Sequence, residues 1–309
     1  TKKVVAKKAK KFLAKKKDAT IKRVDGKFVI TKHVHGIAID FDANAEKLAE
    51  VFDNKNWDHK SVVFPMDYTL DKAKHTKKEL SAIKDVLGTY TTSYAGSASG
   101  RCANVENGAS LINGTVLYPG EEFSVGQTIG PLTAAGGYEL AGAYENGQTV
   151  QSYGGGVCQV STTLYNAVLK AELEVTQRSN HSMIVTYVKP SMDAAIAGDY
   201  KDLKFVNNLD APIYIEGYTV GKDIYFNIYG QETRPSNRKV TYESEVVSEE
   251  DPGTQFVATG DAVGSISTTQ GKHMGYVARL WKIVTVDGVE QSRDCLLYTS
   301  PSPRDGLLS

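Results

Sequence analysis

The chain has 309 residues, 36 of them basic and 36 acidic, with 41% hydrophobic and 23% charged residues. This length suits two or three domains, and with no run near the ~18 consecutive apolar residues of a spanning helix it excludes a transmembrane segment within the sequence. Three cysteines are too few for a disulfide scaffold, and Thr1-Lys2-Lys3 does not open like a signal peptide, so the start reads as cytosolic or as the cut edge of a longer protein.

The neutral total conceals an asymmetry. Residues 1–85 hold 21 basic and 12 acidic side chains, and residues 86–309 hold 15 and 24. Such a split marks a domain boundary or a binding face. The opening TKKVVAKKAKKFLAKKKD reads as an amphipathic helix, with Val5, Ala9, Phe12 and Leu13 at helical spacing and a lysine face. That face is either simply solvated or drawn to a polyanion, and nucleic acid is not expected because arginine clusters and interleaved aromatics are missing. Next, Ile21, Val24, Phe28 and Ile30 flank Asp25-Gly26, a hairpin signal. A helix is expected over 43–53, a strand over SVVFPMDY (61–68), and a helix over 75–88 with Thr76 and Glu79 as its capping box and Gly88 as its C-cap. These elements make a small α+β unit over residues 1–87.

Residues 88–157 are rich in Gly, Ser, Thr, Asn and Tyr, with turn signals at Asn113-Gly114, Pro119-Gly120, Gly136-Gly137 and Asn146-Gly147. They predict short strands. One clear helix follows from Val157 to about Ala171, then strands at 183–188, 202–207, 211–220 and 222–230. Residues 239–290 read as strand after strand, spaced by Gly253, Gly260, Gly264, Gly271, Gly275 and Gly288. The fold class expected is α+β and multi-domain: a small α+β N-terminal unit, a β-rich central domain with one main helix, and an elongated all-β C-terminal module.

SYGGGVCQVSTTLYNAVL (152–169) is the most informative stretch. Gly154, Gly155 and Gly156 permit backbone conformations and close approaches closed to other residues. Cys158 falls in the first turn of the helix, where free N–H groups and the positive end of the dipole favour a thiolate. The amides of Cys158, Gln159 and Val160 are candidates for an oxyanion hole. The plainer reading is a small buried cysteine on an apolar helix. Of the six histidines, only His181 lies in the same module, as the candidate base, its plainer reading being a strand-edge residue. Asp193, Asp199, Asp202 and Ser182 are candidates to orient its ring, and spacing does not choose among them. His33 and His35 alternate on one strand face without other ligands at metal spacing, so neither a metal nor any cofactor is expected.

RCANVENGA, INGTVLYPGEEFSVGQTIGP, GGYELA, GGGVCQVSTTLYNAVL, NHS and DLKFVNN together resemble the VanW family over residues about 90–231. Residues 1–87 are similar to part of the peptidoglycan-binding domain that precedes it in relatives. Residues about 238–294, above all YVARLWKIVTVDGVEQSRD, resemble the G-five domain, a β module linked to cell-wall and sugar binding. The domain limits expected are 1–87, 88–232, 233–294 (truncated) and 295–309, because CLLYTSPSPRDGLLS from Cys295 resembles translated sequencing-adapter read-through. Cys102 beside Arg101 departs from the family, which needs no thiol there.

The resemblance implies a protein of the extracellular face of a bacterial envelope, reached by the membrane only through an anchor outside this sequence, in a family named for vancomycin-resistance clusters. It implies an L,D-transpeptidase with a cysteine nucleophile that forms 3→3 cross-links between peptidoglycan stem peptides. Cys158 and His181 would act with Asp193 or Asp202, while Arg101, Asn104, Gly154, Gly155, Gly156, Gln159 and Ser161 would bind substrate. A wall-binding protein without catalysis, which adds anionic wall polymers as partners, and a thiol-dependent hydrolase are the alternatives. Residues 88–232 hold 7 basic and 14 acidic side chains, so any recognition of a carboxylate must be local.

Overall fold

The computed structural model describes residues 1–54, 58, 60, 61, 63–145, 148–251 and 274–299, with the side chains of 144–149 outside the description. The chain divides into two compact units, Thr1–Ala82 and Ile83–Ser309.

In the first unit α1 (Lys2–Ala9) buries Val5 and Ala9 and then tightens into a 3-10 turn over Lys10–Phe12. Phe12 and Leu13, expected on the apolar face, are 51% and 43% exposed, because the helix stops before they complete its stripe. β1 (Ile21–Val24) and β2 (Lys27–Ile30) form the expected hairpin, with Asp25 and Gly26 both at positive φ as a tight turn of matching twist requires. β3 (Gly36–Ala38) pairs with β4 (Thr69–Asp71). Between them α2 (Phe41–Phe52) starts at Asp40, whose carboxylate accepts from the amides of Asp42 and Ala43. Val5, Ala45 and Leu48 make a small core.

Two expectations for this region are corrected. None of the described residues within 61–68 lies in a strand; Pro65 has no N–H for a ladder. The helix expected over 75–88 is only α3 (Lys77–Leu80), though its Thr76–Glu79 capping box is present. The chain then extends as β5 (Asp85–Ser93), in which Gly88 pairs with Ile228. Gly88 is therefore no C-cap: a Cβ there would come 2.2 Å from the Ala167 carbonyl oxygen, so it is the point where a helix lies against the sheet.

The second unit is built on α4 (Ser99–Ile112), β6 (Thr115–Leu117), β7 (Glu122–Ser124), α5 (Val125–Ile129), β8 (Leu140–Glu145), β9 (Gln148–Tyr153), α6 (Val157–Lys170), β10 (Glu174–Gln177), β11 (Lys204–Val206), β12 (Ile213–Val220) and β13 (Asp223–Gly230). Its main sheet runs β5-β13-β12-β6, all antiparallel, and β10-β11-β7 form a smaller one. Ile213, Ile215, Ile224, Phe226 and Ile228 face Val160, Leu164 and Val168 of α6 and Val105, Ala109 and Ile112 of α4, in one core. Helix α4 is a second 14-residue helix that composition hides among glycine, serine and asparagine. Those small residues are what lets it pack: a Cβ on Gly108 would lie 3.1 Å from Val160 of α6. The strand expected at 183–188 is irregular chain, held down by buried Met183 and Val185. The Asn146-Gly147 turn lies outside the described residues, between the paired β8 and β9.

β14 (Arg238–Glu250), β15 (Gly275–Val286) and β16 (Val289–Thr299) form a three-stranded antiparallel sheet within the same compact unit. Leu280 joins the main core, and the Tyr242 hydroxyl donates to the Leu169 carbonyl at 2.5 Å. Glu172, at the end of α6, receives Arg238, Arg234 and Lys282. Of the spaced glycines expected in this region, Gly253, Gly260, Gly264 and Gly271 lie outside the described residues.

Candidate active site

Helix α6 begins at Gly156, whose φ of 108° no other residue adopts without strain. The loop before it is fixed from beneath. Asn104 of α4 is fully buried and donates to the carbonyls of Glu139 (2.9 Å) and Gly155 (3.0 Å), while its Oδ1 accepts from the Glu139 amide at 2.7 Å. Gly155 faces β8 so closely that a Cβ would lie 2.5 Å from the Ala141 carbonyl oxygen. Cys158 follows in the first turn, partly buried. Among the described residues its amide has no hydrogen-bond acceptor, whereas the Gln159 amide is committed to the Gly156 carbonyl at 2.9 Å.

The same helix places the second half of the site. Its buried polar side chains grip the segment 192–194. Ser161 donates to the Ala194 carbonyl (2.6 Å), Thr162 accepts from the Ala194 amide (3.0 Å), and Asn166 donates to the Met192 carbonyl (2.8 Å). Asp193 sits inside this clamp. Its Oδ2 takes both the His181 amide (2.7 Å) and the His181 Nδ1 (2.6 Å), which leaves Nε2 as the free nitrogen of the ring. Its Oδ1 takes Arg178 Nη2 at 2.7 Å. The side chains of Arg178, His181 and Asp193 are 6%, 9% and 11% exposed.

The Cys158 sulfur lies 3.3 Å from the Ile196 carbonyl oxygen, which accepts from the neutral thiol. His181 acts on the same sulfur as a hydrogen-bonding partner and through its charge. Burial pushes the thiol up, yet the His181 hydrogen bond and charge outweigh it, and the thiol is lowered overall. Burial likewise opposes the imidazolium, but the hydrogen bonds to Asp193 and Cys158 raise His181 to about 9. Burial works against the Asp193 carboxylate too; His181 and then Arg178 hold it below the ordinary carboxylate range. Each partner is thus shifted toward its charged form, thiolate for Cys158 and imidazolium for His181.

The sequence candidates divide in this geometry. Cys158, His181 and Asp193 are brought together. Asp202 accepts from Ser124 Oγ (2.6 Å) and the Gly126 amide (2.8 Å) at the start of α5, so its hydrogen bonds support that helix rather than the imidazole. Asp199 is exposed. Asn104, Gln159 and Ser161, expected to touch substrate, are at most 1% exposed and spend their polar atoms on the protein, so they shape the loop and the clamp instead. Arg101 is partly exposed. Its guanidinium donates to Ser97 Oγ and to Gln159 Oε1, both at 2.8 Å, and among the described residues it pairs with no carboxylate. Its stem lies against the loop, since a Cβ on Gly156 would come 2.8 Å from Arg101 Cγ. Sequence reasoning passed over two residues. Arg178, three positions before His181, carried a signal in its closeness to that histidine. Tyr187 carried none: its phenol is raised by burial first and then by the charge of Cys158, so it stands neutral near the sulfur.

Two stretches of this chain match known families. Residues 100–229 match the family described as "VanW like protein", and residues 1–58 match that described as "Putative peptidoglycan binding domain". The chain carries a VanW-like domain. It is 36% identical over 146 residues to "Uncharacterized protein YoaR" of Bacillus subtilis (strain 168), covering 47% of this chain and 48% of that protein. It is 30% identical over 118 residues to "Vancomycin B-type resistance protein VanW" of Enterococcus faecalis (strain ATCC 700802 / V583), covering 36% of this chain and 42% of that one. The chain thus spans less than half the length of these relatives. No solved structure matches it. Cys158, His181, Asp193 and Arg178 all fall inside the VanW-like domain, and its two matched regions together support a protein associated with the cell wall.

Proposed function

We propose that this protein is a cell-wall acyltransferase in which Cys158 is the nucleophile, acting as an L,D-transpeptidase on peptidoglycan stem peptides. One observation carries the reading: a partly exposed sulfur in the first turn of a helix, paired with an imidazole that a buried carboxylate orients. In the first step the thiolate attacks the carbonyl carbon between the third and fourth stem residues. The oxyanion that forms faces the free Cys158 amide, and the His181 imidazolium gives its proton to the departing amine. The C–N bond breaks, D-Ala leaves and a thioester remains. A side-chain amine of a neighbouring stem then attacks the thioester, His181 takes its proton, and the thiolate is released with a new amide formed. One amide is lost and one gained. Arg101, whose partners are neutral, is the group suited to the terminal carboxylate of the donor.

Purified protein incubated with stem tetrapeptides is expected to release D-Ala and form cross-linked dimers, and Cys158→Ala is expected to abolish both. Shortened stems without dimers would assign the site to hydrolysis, with water as the acceptor. Sedimentation with peptidoglycan independent of Cys158, with no acyl-enzyme by mass spectrometry, would leave a wall-binding protein. That reading draws on the peptidoglycan-binding match and on the nine lysines of residues 1–17, which suit an anionic wall polymer.

A further inference from the structure

Arg178 stands behind the imidazole and is not among the groups that would touch a substrate. Its Nε donates to the Asp193 main-chain carbonyl at 2.6 Å and its Nη2 to Asp193 Oδ1 at 2.7 Å, so one guanidinium grips both backbone and side chain of the same residue. A longer bond of 3.4 Å runs from Nη2 to the Ser191 carbonyl, and the guanidinium carbon lies 5.8 Å from the centre of the Tyr165 ring. Asp193 thus gives one oxygen to Arg178 and the other to His181.

We propose that Arg178 is a positioning residue that sets the charge state of Cys158 through Asp193. The inference rests on the reading of Cys158 as the nucleophile. With the thiol ionised, the site holds two anions, Cys158 and Asp193, and two cations, His181 and Arg178. Arg178 balances Asp193 and frees the imidazolium to balance the thiolate. Without the guanidinium, two poorly solvated anions share one cation, and the next proton goes to sulfur. The fork also fixes the rotation of the carboxylate, which a point charge on a flexible stem does less well. The other titratable groups around the site do not supply this balance. Tyr165 of α6 and Tyr187 are phenols raised by burial, Lys189 is exposed beside the small cavity behind His181, Lys201 donates to the Asn180 carbonyl at 3.2 Å, and Arg101 bonds Ser97 and Gln159.

The test is the pH dependence of Cys158 alkylation by iodoacetamide in the full chain, read at Cys158 by peptide mass mapping so that Cys102 and Cys295 do not contribute. Arg178→Met is expected to raise the midpoint by about one pH unit or more, as loss of a neighbouring cation does. Arg178→Lys, which keeps the charge, should stay near the unsubstituted chain while slowing turnover of a stem tetrapeptide. Arg178→Met combined with Asp193→Asn removes one charge of each sign and should return the midpoint toward the starting value. A low midpoint in the unsubstituted chain that Arg178→Met leaves unmoved would overturn the role of Arg178 and leave the nucleophile standing. An ordinary thiol midpoint in the unsubstituted chain would overturn both. Should Arg178→Met not fold, a raised midpoint in the lysine variant or in the double variant refutes the charge balance directly.

Discussion

Asn104 offers the sharpest separation between a residue that touches substrate and one that builds the loop. Its side chain makes three hydrogen bonds with no exposure to solvent. Truncation in Asn104→Ala leaves the Glu139 amide and the Gly155 carbonyl without partners, while the Glu139 carbonyl keeps the Gly154 amide at 3.3 Å. Two orphaned groups, the buried Gly155 carbonyl and the part-buried Glu139 amide, at about 1–3 kcal/mol each predict a loss of about 2–4 kcal/mol. That is a large share of the ~5–15 kcal/mol of a typical domain. Urea denaturation followed by fluorescence would read it as a lower midpoint at unchanged slope. Asn104→Asp sharpens the test. Its carboxylate still accepts from the Glu139 amide, but it faces two carbonyls, so this variant should be at least as unstable at neutral pH and recover part of the loss in acid, when a protonated oxygen can donate. A loss below about 1 kcal/mol in Asn104→Ala would refute the reasoning. So would a variant of full stability whose only defect is weaker stem-peptide binding.

Three further outcomes follow from the same contacts. Asp193 is held below the ordinary carboxylate range in the fold, so its contribution to stability is present above the unfolded value of about 4 and is lost as pH falls through the folded one. His181, raised to about 9, stays protonated across that window; stability curves of the protein and of Asp193→Asn should therefore converge in acid, and parallel curves would contradict the pairing. Glu172 receives Arg238, Arg234 and Lys282, and despite burial these cations hold its carboxyl at about 2. Glu172→Gln should cost about 2–4 kcal/mol, since Arg238 and Lys282, both partly buried, lose their anion while Arg234 keeps Glu232, and hydrogen exchange in Arg238–Glu250 should accelerate; unchanged exchange there would detach the sheet from this cluster. Gly155→Ala should destabilise by about 1–3 kcal/mol through overpacking, because its Cβ would meet the backbone of Ala141 and Gly142 rather than a movable side chain; a neutral effect on the thermal midpoint would refute that contact.

Local signals were legible wherever a short stretch of chain decides the outcome. The Asp25-Gly26 hairpin, the Thr76–Glu79 capping box, the strands over 211–220 and 222–230 and helix α6 with Cys158 in its first turn all follow from turn chemistry and apolar spacing. Where two elements had to meet, the chain alone was silent. Gly88 has the look of a helix end and is a strand position chosen by the approach of α6, and α4 has the composition of a loop but becomes a helix because its small residues fit against Val160.

The site divides along the same line. Its candidate nucleophile and base were legible in the sequence, because a cysteine after a glycine run at a helix start and a histidine in the same module are local signals. The pairing of His181 with Asp193 while Asp202 bonds Ser124, the turning of Asn104, Gln159 and Ser161 inward, and the placement of Arg178 behind the carboxylate come from tertiary structure. The physical reason is that a carboxylate's partner depends on which backbone segment is held beside it. Here Ser161, Thr162 and Asn166 of α6 hold 192–194 against the helix that bears Cys158, a contact between residues about 30 positions apart that no local pattern encodes.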